Sequence, residues 1–157
     1  MSLARGRLIK EMKEASKLDD PNIKLYVSNS NIFNWTAYIR GPEGTPFESG
    51  IFKLLIHCPN SYPIQPPTVH FVTKCFHPNI NFQTGELCID ILKSNWSPAW
   101  TIQYLCRGVI YILSSPNPDS PLNCDAGNLV RYGDLIGYKS MAKMYTHEYS
   151  LKEFPNS

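Results

Sequence analysis

The sequence lacks the features that indicate a membrane, secreted or nucleic-acid-binding protein. No run approaches the roughly 18 consecutive apolar residues of a membrane span. Residues 1–5 lack the apolar stretch of a secretory signal. The formal net charge is only +2, and Lys and Arg are scattered, so charge gives no indication of a nucleic-acid partner. We therefore expect a cytoplasmic protein that neither inserts into a membrane nor binds nucleic acid.

Paired cysteines are also missing. None of the five cysteines stands in a C-x-x-C pair, which argues against a zinc site or a thioredoxin-like motif. Their odd number and the ordinary chain length argue against a disulfide-stapled secreted domain. We expect reduced thiols, no metal and no cofactor. Most free cysteines are small buried hydrophobic residues, and among Cys58, Cys75, Cys88, Cys106 and Cys124 only Cys88 has neighbours that suggest chemistry.

The length, composition and local patterns of the chain suit one α+β domain. The chain has 157 residues and is 43% hydrophobic, enough for a single core, so residues 1–157 are predicted to form one domain with a core at about 5–150. Helical and strand-like patterns follow in order, and short connections favour an antiparallel four-stranded meander. The predicted elements are a helix over 3–18, strands over 23–28, 33–39, 51–57 and 68–71, a helix over 101–114 that Thr101 or Ser97 caps, and helices after 125 and from 138 to about 151.

Two segments between these elements have little regular pattern. Residues 62–67 are too rich in proline for a central strand, and Pro66-Pro67 is a candidate for a cis bond. Residues 73–100 are long for a structureless connection, and such connections are often functional. Their aromatic and aliphatic residues argue against disorder. Cys88 is therefore predicted to lie on a well-packed irregular segment.

The neighbours of Cys88 suggest a thiol that carries a group. Asn79 lies nine positions before it and Asp90 two positions after it, with no strong base evident. His77 is the nearest candidate base, but its Pro-Asn neighbours indicate a structural role in a turn. Asn79 has two compatible roles, a turn bond to the backbone or donation to an oxyanion. Asp119 and Ser120 lie in a proline-rich turn, from which a carboxylate or hydroxyl would orient an incoming lysine.

At these residues the sequence resembles a known family. The pattern F-H-P-N-I-x-x-x-x-G-x-L-C-I over residues 76–89 resembles the active-site signature of ubiquitin-conjugating enzymes. The resemblance covers about residues 5–150. Further matching motifs lie in family order, in the basic N-terminal helix and at residues 35–42, 44–47, 62–67, 96–99 and 116–123.

This resemblance implies the family's fold and an acyl transfer that belongs to an ATP-dependent pathway. Cys88 would accept the ubiquitin carboxyl group from an activating enzyme as a thioester, and a substrate lysine would then attack it. Asn79 would stabilise the oxyanion or order the adjoining loop. Asp90 and Ser120 would flank the sulfur, with Asp119 beside them. Many relatives carry an acidic residue where this chain has Ser120.

The resemblance also implies partner surfaces and a subfamily. A ligase, of the RING type, would face the first helix, the proline loop and the segment after Trp96, and the first helix would also contact the activating enzyme. Many relatives have phenylalanine at the position of Ile64. Residues 119–134 resemble the peroxisomal branch, which modifies an import receptor after a membrane-anchored partner recruits the enzyme. The predicted contact residues are Arg7, Lys10, Pro63, Ile64, Pro98 and Ala99.

Three alternatives stay open at this point. The chain could conjugate another ubiquitin-like protein, a choice that residues of the first helix and early strands would set. It could be an inactive module that only holds ubiquitin, although such variants lack the cysteine. It could also be a cysteine hydrolase that uses Cys88 and His77, although no third orienting group is evident.

Overall fold

The computed structural model describes residues 2–88 and 92–156, in which one helix precedes a four-stranded sheet and three helices follow it. The predicted α+β order is confirmed. The elements are α1 (Leu3–Ala15), β1 (Ile23–Val27), β2 (Asn34–Arg40), β3 (Ile51–His57), β4 (Thr68–Phe71), α2 (Ile102–Ser114), α3 (Cys124–Arg131) and α4 (Leu135–Tyr149).

The sheet is an antiparallel meander with the spatial order β1-β2-β3-β4, as predicted. One row of paired residues crosses it from Leu25 through Ala37 and Leu54 to Phe71. Of these, Ala37, Leu54 and Phe71 are buried and belong to the main core cluster. Because side chains alternate between the two faces of a strand, this register fixes which face of the sheet is covered.

Helix α1 is shorter than the predicted span of residues 3–18. It ends at Ala15, with Ser16 as its C-cap, whereas the sequence predicted helix to residue 18. Leu3 is 75% exposed, while Ala4, Leu8 and Glu11 are buried. The spacing of these three residues is the helical i, i+4, i+7 pattern. The buried stripe therefore contains a carboxylate, which sequence reasoning had not placed there.

The C-terminal helices begin at polar caps. The Thr101 side chain accepts a hydrogen bond from the backbone N–H of Tyr104 at 3.1 Å, which confirms Thr101 as the cap of α2. Asn123 and Asp134 cap α3 and α4 in the same way. Helix α4 begins at Leu135, three residues before the predicted start. Within residues 2–88 and 92–156, no helix is long and apolar enough to span a membrane.

The proline-rich segment after β3 packs against the rest of the chain. Tyr62 is 1% exposed, and the indole N–H of Trp96 donates to the carbonyl oxygen of Pro63 at 2.8 Å. The predicted cis bond at Pro66-Pro67 was wrong, since the cis peptide lies between Tyr62 and Pro63. This contact brings the proline segment beside residues 96–100.

Candidate active site

The segment that carries Cys88 folds back on itself as a short hairpin. The backbone N–H of Cys88 donates to the carbonyl oxygen of Asn79 at 2.9 Å, and the N–H of Asn81 donates to Glu86 at 2.8 Å. Ile80 and Leu87 form a bridge between these two bonds. We call residues 79–88 the thiol hairpin. Its open end places Asn79 opposite Cys88, which explains the nine-residue spacing seen in the sequence.

The closed end of the thiol hairpin is fixed by its turn residues. The side-chain oxygen of Asn81 accepts from the backbone N–H groups of Gln83 and Thr84, both at 2.9 Å. Gly85 has φ +75°, and a Cβ there would lie 1.8 Å from the carbonyl oxygen of Phe71. Only glycine fits this position. The Phe71 N–H donates to the Gly85 carbonyl at 2.8 Å, so the hairpin docks on β4.

Cys88 differs from three of the other cysteines in its exposure. Cys58, Cys75 and Cys106 are buried, whereas Cys88 is partly exposed. Burial, with a contribution from Glu11, raises the pKa of Cys58 to about 12. Burial, with a contribution from Asp20, raises the pKa of Cys106 to about 12, and burial also raises the pKa of Cys75. These three thiols stay protonated near neutral pH and match the expected buried hydrophobic role. Cys124, the first residue of α3, is exposed.

His77 is a buried structural residue, as its neighbours indicated. Its side chain is fully buried. Nδ1 accepts the backbone N–H of Asn79 at 3.0 Å, which leaves Nε2 protonated to donate to the carbonyl of Ile112 at 2.8 Å. Burial lowers the pKa of His77 to about 4, against a smaller opposing effect of the Ile112 bond. His77 is therefore neutral with both ring nitrogens occupied, which leaves it unsuited to act as a base for Cys88.

Asn79 links the thiol hairpin to a distant loop. Its side chain is 1% exposed. Nδ2 donates to the carbonyl of Asn117 at 2.9 Å, and Oδ1 accepts the N–H of the same residue at 3.0 Å. The backbone polarity of Asn117 fixes which end of the side-chain amide is which. The side-chain-to-backbone bond expected of Asn79 exists, but it spans 38 residues instead of closing a local turn.

The same loop is bonded a second time at the neighbouring residue. The carbonyl oxygen of Pro78 accepts the N–H of Leu122 at 2.8 Å and that of Asn123 at 3.1 Å. Pro78 and Asn79 together make four hydrogen bonds to residues 115–123, which we call the covering loop. Gly127 lets helix α3 lie close against the covering loop, because a Cβ there would lie 2.7 Å from Pro121.

The covering loop carries Asp119 and Ser120 at its exposed tip. The side chain of Asn117 accepts the N–H of Asp119 at 2.9 Å. Ser120 is exposed and has φ +50°, a conformation that non-glycine residues rarely adopt. Arg131 donates to the carbonyl of Pro118 at 2.8 Å and lies 4.0 Å from the carboxylate of Asp119. Asp90, predicted to flank the sulfur, lies outside the described residues.

A buried carboxylate organises the second predicted surface, and sequence reasoning missed it. Glu11 is 4% exposed. It accepts hydrogen bonds from Arg7 Nε at 3.0 Å, from the hydroxyl of Tyr62 at 2.5 Å and from the backbone N–H of Ile102 at 2.7 Å. A buried carboxylate is stable only when such donors surround it. Glu11 therefore joins helix α1, the proline segment and the start of α2.

Arg7 connects helix α1 to the loop before α2, where part of the predicted ligase surface lies. Its side chain is 22% exposed. Nη1 donates to the carbonyl of Pro98 at 2.7 Å and Nη2 to that of Trp100 at 2.5 Å. Pro63 is also buried. Of the predicted contact residues, Lys10, Ile64, Pro98 and Ala99 are exposed, and Arg7 is partly exposed.

Comparisons with known proteins agree on one family. The sequence profile described as "Ubiquitin-conjugating enzyme" matches residues 7–146. The chain is 56% identical over 148 residues to Protein PEROXIN-4 of Arabidopsis thaliana, covering 93% of this chain and 94% of the relative. It is 53% identical over 145 residues to ubiquitin-conjugating enzyme E2 pex4 of Dictyostelium discoideum, covering 92% and 97%.

A solved structure supports the same relationship in three dimensions. The structure of H. polymorpha ubiquitin-conjugating enzyme Pex4p, in complex with the soluble domain of Pex22p, has a TM-score of 0.87 to this fold and 35% sequence identity. The similarity covers 95% of this chain and 99% of that one.

Proposed function

The chain belongs to the ubiquitin-conjugating enzyme family, and we propose that it carries ubiquitin as a thioester on Cys88 and transfers it to a substrate lysine. Members of this family are transferases that work with ubiquitin, an activating enzyme and ligases. We take residues 1–157 as one catalytic domain, since the family profile spans residues 7–146 and the four strands form a single sheet.

The observation that carries this proposal is the setting of Cys88. Cys88 is a partly exposed cysteine at the open end of a hairpin, where its backbone N–H donates to the carbonyl oxygen of Asn79. Cys58, Cys75 and Cys106 are buried thiols with raised pKa values. Since the thiolate is the nucleophile, these three are poor candidates. Cys124 is exposed, and it serves as the internal comparison for the test.

The chemistry consists of two acyl transfers. The Cys88 thiolate attacks the thioester carbonyl on the activating enzyme, the new C–S bond forms, and the activating enzyme's thiolate leaves. A neutral lysine amine then attacks the carbonyl, the C–N bond forms, and the Cys88 thiolate leaves while the amine proton passes to solvent. The Cys88 thiol releases its proton to solvent before the first transfer, so neither step requires a protein base at Cys88 itself. A carrier thioester also benefits from weak activation, since a strong base beside it would promote hydrolysis by water.

Asn79 and the covering loop would act in the second transfer. The bonds between Asn79 and Asn117 favour loop organisation as the main role of Asn79, and its second Nδ2 hydrogen would serve an oxyanion. Asp119 and Ser120, at the exposed tip, would receive the incoming lysine. Asp90 keeps the flanking role that the family resemblance implies. A cysteine hydrolase using His77 is disfavoured because both ring nitrogens of His77 are already hydrogen-bonded.

The partner surface would be formed by exposed residues on three neighbouring segments. Lys10 projects from α1, Ile64 from the proline segment, and Pro98 and Ala99 from the loop before α2. Ile64 is 65% exposed, a large apolar side chain suited to contact a RING-type ligase. Lys10 would also meet the activating enzyme. Arg7 and Pro63 would contribute by holding these segments in place.

We assign the protein to peroxisomal receptor modification, where an anchor protein recruits it from the cytoplasm. The names of the Arabidopsis and Dictyostelium relatives support this assignment. So does the complex of the H. polymorpha protein with a Pex22p domain. The test is co-elution of this chain with the soluble domain of a Pex22p-type protein from the same organism. Separate elution at micromolar concentrations would count against recruitment of this kind.

The transferase activity is tested by charging. The protein is incubated with activating enzyme, ATP and ubiquitin, and the products are separated with and without reductant. We expect an adduct that reductant removes, that Cys88→Ala abolishes and that Cys124→Ala retains. An adduct that depends on Cys124 would overturn the assignment. Charging with another ubiquitin-like protein in place of ubiquitin would identify a conjugating enzyme for that modifier.

A further inference from the structure

We propose that Phe82 is a positioning residue for the transfer step, because it anchors the turn of the thiol hairpin to helix α4. The inference rests on the proposed function of Cys88. Phe82 is partly buried and stands six residues before the thiol. Its ring joins what we call the aromatic cluster, which consists of Phe76, Phe82, Tyr145 and Tyr149.

The aromatic cluster holds the Phe82 ring from the side of α4. The ring centroids of Phe82 and Tyr145 lie 4.8 Å apart, with planes at 57°. Tyr149 meets Phe82 edge-on at 6.4 Å. Tyr145 in turn stacks on Phe76 at 5.6 Å and on Tyr149 at 6.1 Å. These separations are in the range where aromatic pairs attract beyond the effect of burial alone.

Lys74 restrains Phe82 independently of the aromatic cluster. Its ammonium lies 4.9 Å from the centroid of the Phe82 ring, within the range of a cation–π contact. The same Nζ donates to the backbone carbonyl of Phe82 at 3.3 Å. Both the ring and the main chain of Phe82 are thus restrained by groups outside the hairpin.

The anchor is connected to Cys88 through a short hydrogen-bonded ladder. Phe82 directly follows Asn81, whose N–H donates to Glu86 and whose carbonyl accepts from Gly85, both at 2.8 Å. The next rung is the Ile80–Leu87 bridge, and the last is the bond between Cys88 and Asn79. A shift of the turn therefore moves the thiol relative to the covering loop. Transfer rates are sensitive to such shifts, because a misplacement of about 1 Å can lower a rate by roughly 100-fold.

The first test measures discharge of preformed thioester to free lysine in a single turnover. We expect Phe82→Ala to charge with ubiquitin but to discharge about tenfold more slowly, as for a modest displacement of the reacting atoms. Phe82→Tyr, which keeps the ring, should restore the wild-type rate. Tyr145→Ala should slow discharge as well, and the double variant should be no slower than the slower single variant. Tyr111→Ala removes an aromatic ring that is 69% exposed and should change nothing.

The second test needs no activity, so that it separates this inference from the proposed function. Amide hydrogen exchange should become faster at Cys88 and Asn81 in Phe82→Ala, while the amides of Ala37 and Leu54 in the sheet keep their protection. Wild-type discharge together with unchanged exchange at Cys88 would overturn the positioning role. Faster exchange throughout the sheet would also overturn it, since the defect would then be global. Failure of the wild-type protein to charge would instead refute the proposed function, and the exchange result would then decide only whether Phe82 anchors the hairpin.

Discussion

The side-chain amide of Asn79 pairs with the backbone of Asn117 through two hydrogen bonds, of 2.9 and 3.0 Å. One residue of the thiol hairpin thereby completes the hydrogen bonding of a loop 38 positions away. Any role of Asn79 in catalysis is thus combined with a role in structure. A simple loss of activity on substitution would not separate the two.

We expect Asn79→Ala to charge with ubiquitin but to discharge slowly to lysine. The substitution also leaves the N–H and carbonyl of Asn117 without their partners, which should lower the free energy of unfolding by roughly 1–3 kcal/mol. Denaturant unfolding and single-turnover discharge measure the two effects. Amide exchange at Asn117, Leu122 and Asn123 identifies the cause. Slow discharge with full protection of these amides would favour the oxyanion role over loop organisation.

Glu11→Gln should destabilise the fold and weaken the response to a ligase. The variant keeps the shape of the side chain but replaces one acceptor oxygen by an amide group facing the donors Arg7, Tyr62 and Ile102. We expect a loss of about 2 kcal/mol in the free energy of unfolding, measured by denaturant titration. Ligase-stimulated discharge should fall more than discharge to free lysine.

Glu14→Gln provides the matched control on the same helix, because Glu14 is exposed. It should unfold like the wild-type protein. Equal unfolding midpoints for the Glu11 and Glu14 variants would show that the buried carboxylate contributes nothing to stability.

His77 should make the stability of the protein fall at mildly acidic pH. Its pKa is lowered to about 4 in the folded state, against about 6.5 in an unfolded chain. The unfolded state therefore binds a proton first. Stability is fully present above pH 6.5 and is lost as the pH falls towards 4, by up to about 1.4 kcal/mol per pH unit.

Unfolding titrations of the wild type and of His77→Gln between pH 4 and 7 measure this contribution. The variant should be less stable at pH 7 and should show a shallower dependence on pH. His147→Gln, at an exposed position, should keep the wild-type slope. An unchanged slope in His77→Gln would mean that other groups cause the acid sensitivity.

Ser120→Asp should speed the transfer to lysine. The covering loop is bonded to the open end of the thiol hairpin, so a carboxylate at its exposed tip would attract the substrate lysine and accept its proton, which leaves the neutral amine that attacks. Aspartate also tolerates the positive φ at this position better than most residues. An exposed charge pair is worth roughly 0.2–1 kcal/mol, which corresponds to an acceleration of about 1.4- to fivefold. Ser30→Asp, on the exposed loop before β2, controls for the added charge, and equal discharge rates in the two variants would contradict the prediction.

Local patterns predicted the fold well, and tertiary contacts account for what they missed. Strand-like local patterns predicted β3 and β4 with their observed bounds. On α1, however, no local pattern marked Glu11 as a buried residue, since carboxylates are mostly exposed. The reason Glu11 can be buried lies in Tyr62 and Ile102, which are distant in sequence.

The residues around Cys88 were predictable from the sequence, whereas the hydrogen bonds that connect them to other segments were not. The Pro-Asn neighbours of His77 correctly indicated a structural histidine, and the spacing to Cys88 placed Asn79 beside it. The bonds from Asn79 to Asn117 and from Leu122 to Pro78 could not be inferred, because they involve backbone groups that every residue type carries. The family resemblance implied Arg7 as a contact residue, and sequence reasoning did not show that its side-chain nitrogens donate to Pro98, Trp100 and Glu11.

The docking of Gly85 on Phe71 has a consequence for how the protein behaves in solution. Strand β4 lies at the border of the sheet, where unpaired backbone groups can recruit a strand from another molecule and start aggregation. Here the Phe71 N–H is already bonded to Gly85, and His70 forms a bridge with Glu86. The thiol hairpin thus also occupies backbone groups of β4 that could otherwise pair with a strand of another chain. A substitution in this hairpin can therefore change solubility as well as reactivity.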